Sequence, residues 1–106
     1  MKDEILIKKY LPMTETAYYI LLALVTPRHG YGIMQHVTKI TNQRVKLGAG
    51  TIYGSLSKME KDQIIVPVEE EDRRKIYIIS SQGEKLLELE MFRLQELLEN
   101  GRKGRR

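Results

Sequence analysis

At residues 50–61 the chain reads Gly-Thr-Ile-Tyr-Gly-Ser-Leu-Ser-Lys-Met-Glu-Lys. In a helix, Ile52, Leu56 and Met59 share one face, and this apolar face is expected to be buried. The opposite face carries only small, hydroxyl and cationic side chains, namely Gly54, Ser57, Lys58 and Lys61. Such a face allows close approach to a polyanion, which makes the segment a candidate recognition helix for DNA. An ordinary solvated helix face fits the same pattern, and the pattern alone does not separate the two interpretations.

The charge distribution also favours a polyanionic partner. The chain of 106 residues has a net charge of +4. Residues 27–64, which include the candidate helix, carry six basic and two acidic side chains, whereas residues 65–100 carry five basic and nine acidic ones. The last six residues add four basic side chains. The basic character is therefore concentrated around the candidate helix and at the end of the chain.

Length and composition limit the alternatives. A chain of this length forms one domain with a modest core. It contains no cysteine, which excludes disulfides and thiolate metal sites. It also has no apolar run of the roughly 18 residues that a membrane helix needs. These features predict a cytoplasmic protein with no membrane segment.

The chain up to residue 61 is predicted to be mainly helical. The expected helices are a short flanking helix within residues 1–12, a helix over 17–25 with Thr14 as its N-cap, and a helix over 31–40. The helix over 17–25 is apolar all round, so it is expected to be buried on all sides. Residues 42–49 are predicted to be a loop with a brief strand, and Gly50 or Thr51 is the expected cap of the candidate recognition helix.

The side-chain pattern changes from helical to extended after residue 63. Residues 64–68 and 75–79 are rich in β-branched side chains and flank a charged turn at 69–74, which predicts a hairpin. Pro67 cannot donate to a ladder and should lie at a sheet edge. Helices followed by this hairpin predict a winged helix-turn-helix over residues 1–80, in a mainly α fold with a β-hairpin (α+β).

A last long helix is predicted from a capping box at Ser81–Glu84 to about Glu99, with Gly101 as its end. Its apolar arc is wider than a small domain can cover, so residues 81–100 are expected to pair with a second copy of the chain. The predicted dimer contacts are Leu86, Leu87, Glu90, Met91, Leu94, Leu97 and Leu98. Residues 101–106 are expected to form a basic, disordered tail.

Glu90 is unusual because it falls within this apolar arc. A buried carboxylate needs a partner, so we expect an ion pair with a basic group, which could lie across the dimer. The alternative is that Glu90 lies at a solvent-exposed end of the arc.

Four groups of residues together resemble the PadR family of bacterial and archaeal transcriptional regulators. They are His29-Gly30-Tyr31-Gly32-Ile33, Gly50-Thr51-Ile52-Tyr53, Leu56 with Met59-Glu60, and Asp72-Arg73-Arg74-Lys75-Ile76-Tyr77. The resemblance runs from about Met13 to Gly83 and implies a winged-helix regulator of the compact class, in which a single C-terminal helix dimerises. The family usually has glycine where Gln63 stands and often proline where Gly54 stands. Gln63 is therefore expected to adopt a left-handed conformation at a cost of about 1 kcal/mol, or to build the turn differently.

The predicted DNA contacts come from the candidate helix, the wing and the start of the preceding helix. They are Tyr31, Thr51, Tyr53, Gly54, Ser57, Lys58, Lys61, Arg73, Arg74 and Lys75. The resemblance implies that the hydroxyl of Tyr53 reaches a phosphate. For the wing, contact with DNA and cross-strand pairing with Glu69, Glu70 and Glu71 are both open interpretations.

Other classes of site find little support in the sequence. His29 and His36 lack partners at metal-ligand spacing, and no group of residues suggests catalysis, so no metal, cofactor or enzymatic activity is predicted. Members of the compact class can bind flat aromatic molecules at the dimer interface. Tyr10, Met91 and Phe92 could line such a site for a small-molecule effector, although plain interface packing explains them as well.

The predicted function is that of a homodimeric, sequence-specific transcriptional regulator, with repression as the expected mode. Residues 51–61 would enter the major groove of a pseudo-palindromic operator in double-stranded DNA, and wing residues 69–76 would lie on the backbone. A winged-helix adaptor that binds an acidic protein is the alternative from another class. A regulator that senses an aromatic effector at the dimer interface and a small-molecule carrier are the remaining alternatives.

Overall fold

The structure, a computed structural model, describes residues 3–105. Its elements are helices α1 (Asp3–Tyr10), α2 (Glu15–Ala23), α3 (Gly30–Ile40) and α4 (Ala49–Lys61), strands β1 (Ile65–Glu71) and β2 (Arg74–Ile79), and helix α5 (Ser81–Gly104). This order confirms the predicted α+β architecture, with the hairpin directly after the candidate recognition helix. Within the described residues, no helix is long and apolar enough to cross a membrane.

The core lies between α2, α3 and α4 and is closed by the inner end of the hairpin and by α5. Its most deeply buried side chains include Leu6, Ile20, Leu21, Leu24, Ile33, Val37, Ile52, Leu56, Ile64, Ile65 and Leu86. Thr14 caps α2 as predicted and accepts a hydrogen bond from the amide of Ala17 at 3.0 Å. The prediction that this helix is buried on all sides is wrong. Tyr18, Tyr19 and Leu22 are partly exposed, because the neighbouring α3 and α5 leave one side of α2 open.

The starts of α3 and α4 differ from the predictions. Helix α3 begins one residue early because the ring of His29 caps it, accepting a hydrogen bond from a first-turn amide at 3.1 Å. Helix α4 begins after Gly48, which is its N-cap, so the predicted cap at Gly50 or Thr51 is wrong. The predicted brief strand is wrong as well, because residues 45–48 form no strand.

Residues in the left-handed conformation follow both α3 and α4. Gln63 has a φ of 62°, which confirms the left-handed option for this position. The Gln63 amide bonds to the Glu60 carbonyl at 3.0 Å and the Ile64 amide to the Met59 carbonyl at 3.1 Å, which is the Schellman pattern. Asn42, with a φ of 51°, ends α3 in the same way. The turn at Gln63 brings the first strand close to the end of α4.

Strands β1 and β2 form an antiparallel ribbon, the wing. Asp72 and Arg73 make a two-residue turn with φ values of 51° and 65°, the positive signs that a type I′ turn requires. The strands are therefore longer, and the turn shorter, than predicted. The outer edge of β2 pairs with Arg28 through two backbone hydrogen bonds to Tyr77, of 2.9 and 3.1 Å. Strand β1 with Pro67 is the free edge, as predicted for a residue that cannot donate.

Helix α5 begins at Ser81, so its cap lies one residue before the predicted capping box. Its N-cap is Ser80, which accepts a hydrogen bond from the amide of Gly83 at 3.2 Å. Since glycine occupies the third helical position, no side chain returns a bond to the cap, and the predicted box is wrong. The first half of α5 packs against α1 and α2, and its buried residues end at Glu90.

The end of α5 also differs from the prediction. The helix continues to Gly104, so the expected disordered tail over 101–106 is wrong for residues 101–104. Gly101 does not end the helix because it does not adopt a positive φ. Arg102 and Lys103 lie in the last turn, where cations interact favourably with the helix dipole. Arg106 lies outside the described residues.

Candidate nucleic-acid interface

Helix α4 has a buried side and a solvent-exposed side, and its apolar residues lie on the buried side as predicted. Ile52, Leu56 and Met59 face the core and are at most 2% exposed. The predicted DNA contacts on this helix lie on or beside its solvent side: Thr51, Tyr53, Gly54, Ser57, Lys58 and Lys61 are all exposed. A Cβ atom added at Gly54 would meet nothing within 4 Å, so the backbone of the helix is open to approach from outside.

A cleft joins the start of α4 to the wing. It has a volume of about 360 Å³ and is lined by Gly30, Tyr53, Arg73, Arg74, Lys75 and Tyr77. The ring of Tyr53 lies over Gly30, where an added Cβ would come within 2.8 Å of the ring and of the hydroxyl. Gly30 thus makes room for Tyr53, which is 51% exposed. A phenol hydroxyl beside three cationic side chains is a combination that suits a phosphate.

Glu60 holds the wing against α4. The Tyr77 hydroxyl donates to Glu60 Oε1 at 2.9 Å, and Lys75 Nζ lies 3.9 Å from the same oxygen. Burial, together with the hydrogen bond to this carboxylate, raises the pKa of Tyr77 to about 12. The hydroxyl therefore remains a donor at neutral pH. These contacts set the distance between helix and wing, and the sequence alone did not indicate them.

The register of the wing bears on the two interpretations of its basic residues. Arg74 lies opposite Glu71, and Lys75 lies opposite Glu70. Arg73 is in the turn and has no cross-strand neighbour. All three basic side chains are exposed. The register places Arg74 and Lys75 opposite acidic side chains, but the ion pair that Lys75 makes is with Glu60, and Arg73 lies outside the ladder.

Helix α1 holds Lys58 and the end of α4 in place. The Lys58 ammonium lies 5.3 Å from the centroid of the Tyr10 ring. Asp62 accepts hydrogen bonds from the Tyr10 hydroxyl at 2.5 Å and from the Lys9 ammonium at 2.9 Å. Burial alone would raise the pKa of Asp62, but the hydrogen bonds from Lys9 and Tyr10 outweigh it and lower the pKa. Burial, reinforced by the hydrogen bond to Asp62, raises the pKa of Tyr10.

Tyr31 borders a second surface with basic residues. It is 51% exposed, and its ring stacks on that of His29 with centroids 6.5 Å apart. The open groove beside it, of about 620 Å³, also contains Lys39 and Lys46. These two lysines were not predicted as contacts. Only the excess of basic residues over 27–64 pointed to them.

The structure divides the predicted dimer contacts into two groups. The group buried in the chain's own core, at most 4% exposed, consists of Leu86, Leu87 and Glu90. The group that is 39% to 52% exposed consists of Leu94, Leu97 and Leu98. Met91 lies between the groups and is partly buried. The exposed group is available to a partner, whereas Leu86, Leu87 and Glu90 are buried within one chain.

The expectation that Glu90 is buried and paired is confirmed, with the partner in the same helix. Its carboxylate accepts two hydrogen bonds from the Arg93 guanidinium, at 2.8 and 2.7 Å. Against the effect of burial, these bonds and a weaker one from the Met13 amide lower the pKa of Glu90. Glu90 is 2% exposed, so the alternative of a solvent-exposed position is wrong, and no basic group of a second copy is needed.

In the described part of one chain, the predicted effector residues lie at separate places. Tyr10 lines a pocket of about 180 Å³ between α1 and α4, and Met91 lines an open groove of about 960 Å³ beside α5. Phe92 is 75% exposed. Among residues 3–105, no group of three His, Asp or Glu side chains could hold a metal ion.

Solved structures of regulators share this fold. A PadR family transcriptional regulator from Eggerthella lenta superposes with a TM-score of 0.70 at 18% identity, covering 82% of this chain and 78% of that one. A PadR family transcription regulator from Clostridium difficile superposes with a TM-score of 0.69 at 20% identity, covering 85% of this chain and 97% of that one. At these identities the likeness shows the fold alone.

Two sequence comparisons go further. A 37.1 kDa protein encoded in a transposon of Streptomyces fradiae is 34% identical over 79 residues, or 74% of this chain. This chain spans only 22% of the length of that protein. The sequence model of the transcriptional regulator PadR-like family matches residues 20–89, from within α2 through the wing to the first half of α5. The chain therefore belongs to the PadR-like family of transcriptional regulators, which are not enzymes.

Proposed function

We propose that the chain is a homodimeric, sequence-specific DNA-binding repressor. The observation that carries the proposal is the exposed side of α4, which lies next to a wing with three cations and next to the hydroxyl of Tyr53. Residues 51–61 would enter the major groove, and wing residues 69–76 would follow the phosphate backbone. A repressor of this kind acts on chromosomal DNA, so a cytoplasmic location follows from the proposal.

The dimer is required because one α4 carries little charge. Lys58 and Lys61 are the cations on its solvent side, and Lys58 also lies over Tyr10. Two copies related by a two-fold axis would place two recognition helices in successive major grooves of a pseudo-palindromic operator. Repression would follow because a bound dimer excludes polymerase from the promoter.

Removal of the two lysines tests the proposal. Fluorescence anisotropy would compare duplex binding by the wild type and by Lys58→Ala/Lys61→Ala over a range of salt concentrations. We expect affinity to fall about tenfold or more, and the salt slope to fall by about 0.9 for each phosphate that the variant no longer neutralises. The control, Lys8→Ala/Lys85→Ala, removes the same charge from α1 and α5 and should change affinity little.

Unchanged affinity in the α4 variant would contradict the recognition role of the helix. Absence of duplex binding by the wild type, together with salt-sensitive binding to an acidic protein, would instead support the adaptor function. An aromatic effector remains compatible with the regulator, and its binding would have to change the affinity for DNA.

A further inference from the structure

A small pocket opens beside α4 on the side away from the wing. It has a volume of about 180 Å³ and lies where α1, the start of α2 and the middle of α4 meet. Its lining includes two ammonium groups and three aliphatic hydroxyl groups, from Lys9, Lys58, Thr14, Thr16 and Ser55. Of these five residues, only Lys58 is among the predicted DNA contacts. The pocket is called the α1–α4 pocket below.

The α1–α4 pocket and the cleft at Tyr53 lie on opposite flanks of the candidate recognition helix. Successive residues of a helix project about 100° apart, so Tyr53 and Ser55 project to either side of Gly54. Gly54 lies on the open solvent side, where an added Cβ would meet nothing within 4 Å. Tyr53 lines the cleft that contains the three wing cations, whereas Ser55 lines the α1–α4 pocket.

A helix in the major groove has a sugar–phosphate backbone on each side. The groove is about 12 Å wide, and a helix with its side chains is about 10–12 Å across. The helix therefore fills the groove, and its two flanks face phosphates of the two different strands. The proposed phosphate contact of Tyr53 serves one flank only.

We infer that the α1–α4 pocket binds a backbone phosphate of the DNA strand opposite to the one that Tyr53 contacts. The inference rests on the proposed DNA-binding function and adds a second phosphate site to each protomer. Hydroxyl and ammonium groups are donors to phosphate oxygens. The donors of this site would be Lys58 and four residues that the sequence did not indicate, namely Lys9, Thr14, Thr16 and Ser55.

The charge of the α1–α4 pocket is positive, although two carboxylates adjoin its lining residues. Asp62 is 2% exposed and accepts a hydrogen bond from Lys9 at 2.9 Å. Glu15 accepts two hydrogen bonds from Arg44, at 3.2 and 2.6 Å. Both carboxylates are thus paired with cations, and Lys58 adds a further positive charge. An ammonium carries three donors, so Lys9 can also donate to a phosphate.

Neutral phosphate analogues test the site strand by strand. In the duplex that the wild type selects from random DNA, single methylphosphonates would replace each phosphate in turn, and fluorescence anisotropy would measure each affinity. With the wild type, replacement should lower affinity about fivefold or more on both strands of each half-site, because each removes a charged hydrogen-bond acceptor.

Two variants assign the sensitive phosphates to the two flanks of α4. Thr16→Ala/Ser55→Ala should bind the unmodified duplex about tenfold more weakly and should lose its sensitivity to replacement on one strand alone. Tyr53→Phe should lose its sensitivity on the other strand. The salt slope of the double variant should equal that of the wild type, because the variant removes no cation.

The matched control is Thr26→Ala/Ser81→Ala. It removes the same side-chain atoms from two exposed positions outside the pocket and should bind each modified duplex as the wild type does. Alanine has a higher helix propensity than serine or threonine, so the pocket variant should remain folded, which thermal unfolding would verify.

Three results would overturn the inference and leave DNA binding intact. One is sensitivity confined to one strand of each half-site, and another is a pocket variant with the wild-type pattern of sensitivity. The third is saturable binding of inorganic phosphate that the pocket variant loses while its duplex affinity stays unchanged, which would assign the pocket to a free anion. A wild type without affinity for any duplex would instead contradict the proposed function itself.

Discussion

At the residue scale, several of the contacts that shape the site join residues far apart in the sequence. Asp62 is bound by Lys9 and Tyr10 from α1, and the ring of Tyr53 lies over Gly30. Helical periodicity could not predict these contacts, because it carries no information on which polar side chains meet across two elements. The left-handed conformation of Gln63 was one of two expected options, and it came from the resemblance, because the family usually has glycine at this position.

The Asp62 cluster predicts how stability depends on pH. The folded-state pKa of Asp62 is lowered from its ordinary value of 3.8. The stabilisation that ionised Asp62 gives the folded state is therefore complete above this value and is lost as the pH falls through the folded-state pKa. Asp62→Asn should lower the free energy of unfolding at pH 7 by about 2 kcal/mol, because it removes the charge from buried hydrogen bonds. The difference between variant and wild type should shrink below pH 4.

Urea denaturation at several pH values measures this effect. Asp3→Asn is the matched control, because Asp3 makes an exposed ion pair with Lys85 at 3.4 Å. Exposed ion pairs contribute little to the free energy of unfolding. An Asp62→Asn variant as stable as the wild type at pH 7, or a difference that does not change with pH, would show that the cluster does not stabilise α4 against α1.

At the element scale, the order and type of the helices and strands could be predicted, whereas several boundaries could not. Apolar periodicity identified the buried side of α4, and β-branched runs identified the hairpin. The boundaries failed where an unexpected group formed the cap, as with the ring of His29 and the hydroxyl of Ser80. The predicted end at Gly101 failed because glycine ends a helix only where the chain adopts a positive φ.

A methyl group added at Gly30, in the cleft between α3, α4 and the wing, should lower the affinity for DNA. Gly30→Ala should displace the ring of Tyr53 and lower duplex affinity about tenfold, since a hydrogen bond to a charged phosphate contributes about 1.5 kcal/mol or more. The fold should persist, because the clash is with the far end of a mobile side chain. Anisotropy titrations and thermal unfolding would measure the two quantities.

Gly32→Ala is the control for this experiment. A Cβ at Gly32 would meet its nearest neighbour, the His29 ring, at 3.7 Å, which is ordinary contact, so DNA affinity should be retained. Equal affinity of the Gly30→Ala and Gly32→Ala variants would mean that Tyr53 is not a phosphate contact.

At the scale of the whole molecule, the proposed recognition surface and the proposed dimerisation helix belong to one folded body. The resemblance and the final apolar arc predicted a dimer, but not that Leu86, Leu87 and Glu90 would be buried in one chain. Residue spacing cannot show how far the body of a domain extends along its last helix. The structure shows this limit near Glu90, and the exposed Leu94, Leu97 and Leu98 beyond it remain for a partner.

The enrichment of bound sequences from random duplex DNA tests the role of α4 most directly. We expect an inverted repeat whose half-site centres lie about 10 base pairs, or a multiple of that, apart, because a two-fold dimer places its two α4 helices on one face of the duplex. Lys58→Ala/Lys61→Ala should lose this enrichment. Recovery of no preferred sequence by the wild type, or of the same repeat by the variant, would contradict the assignment of α4 as the element that reads DNA.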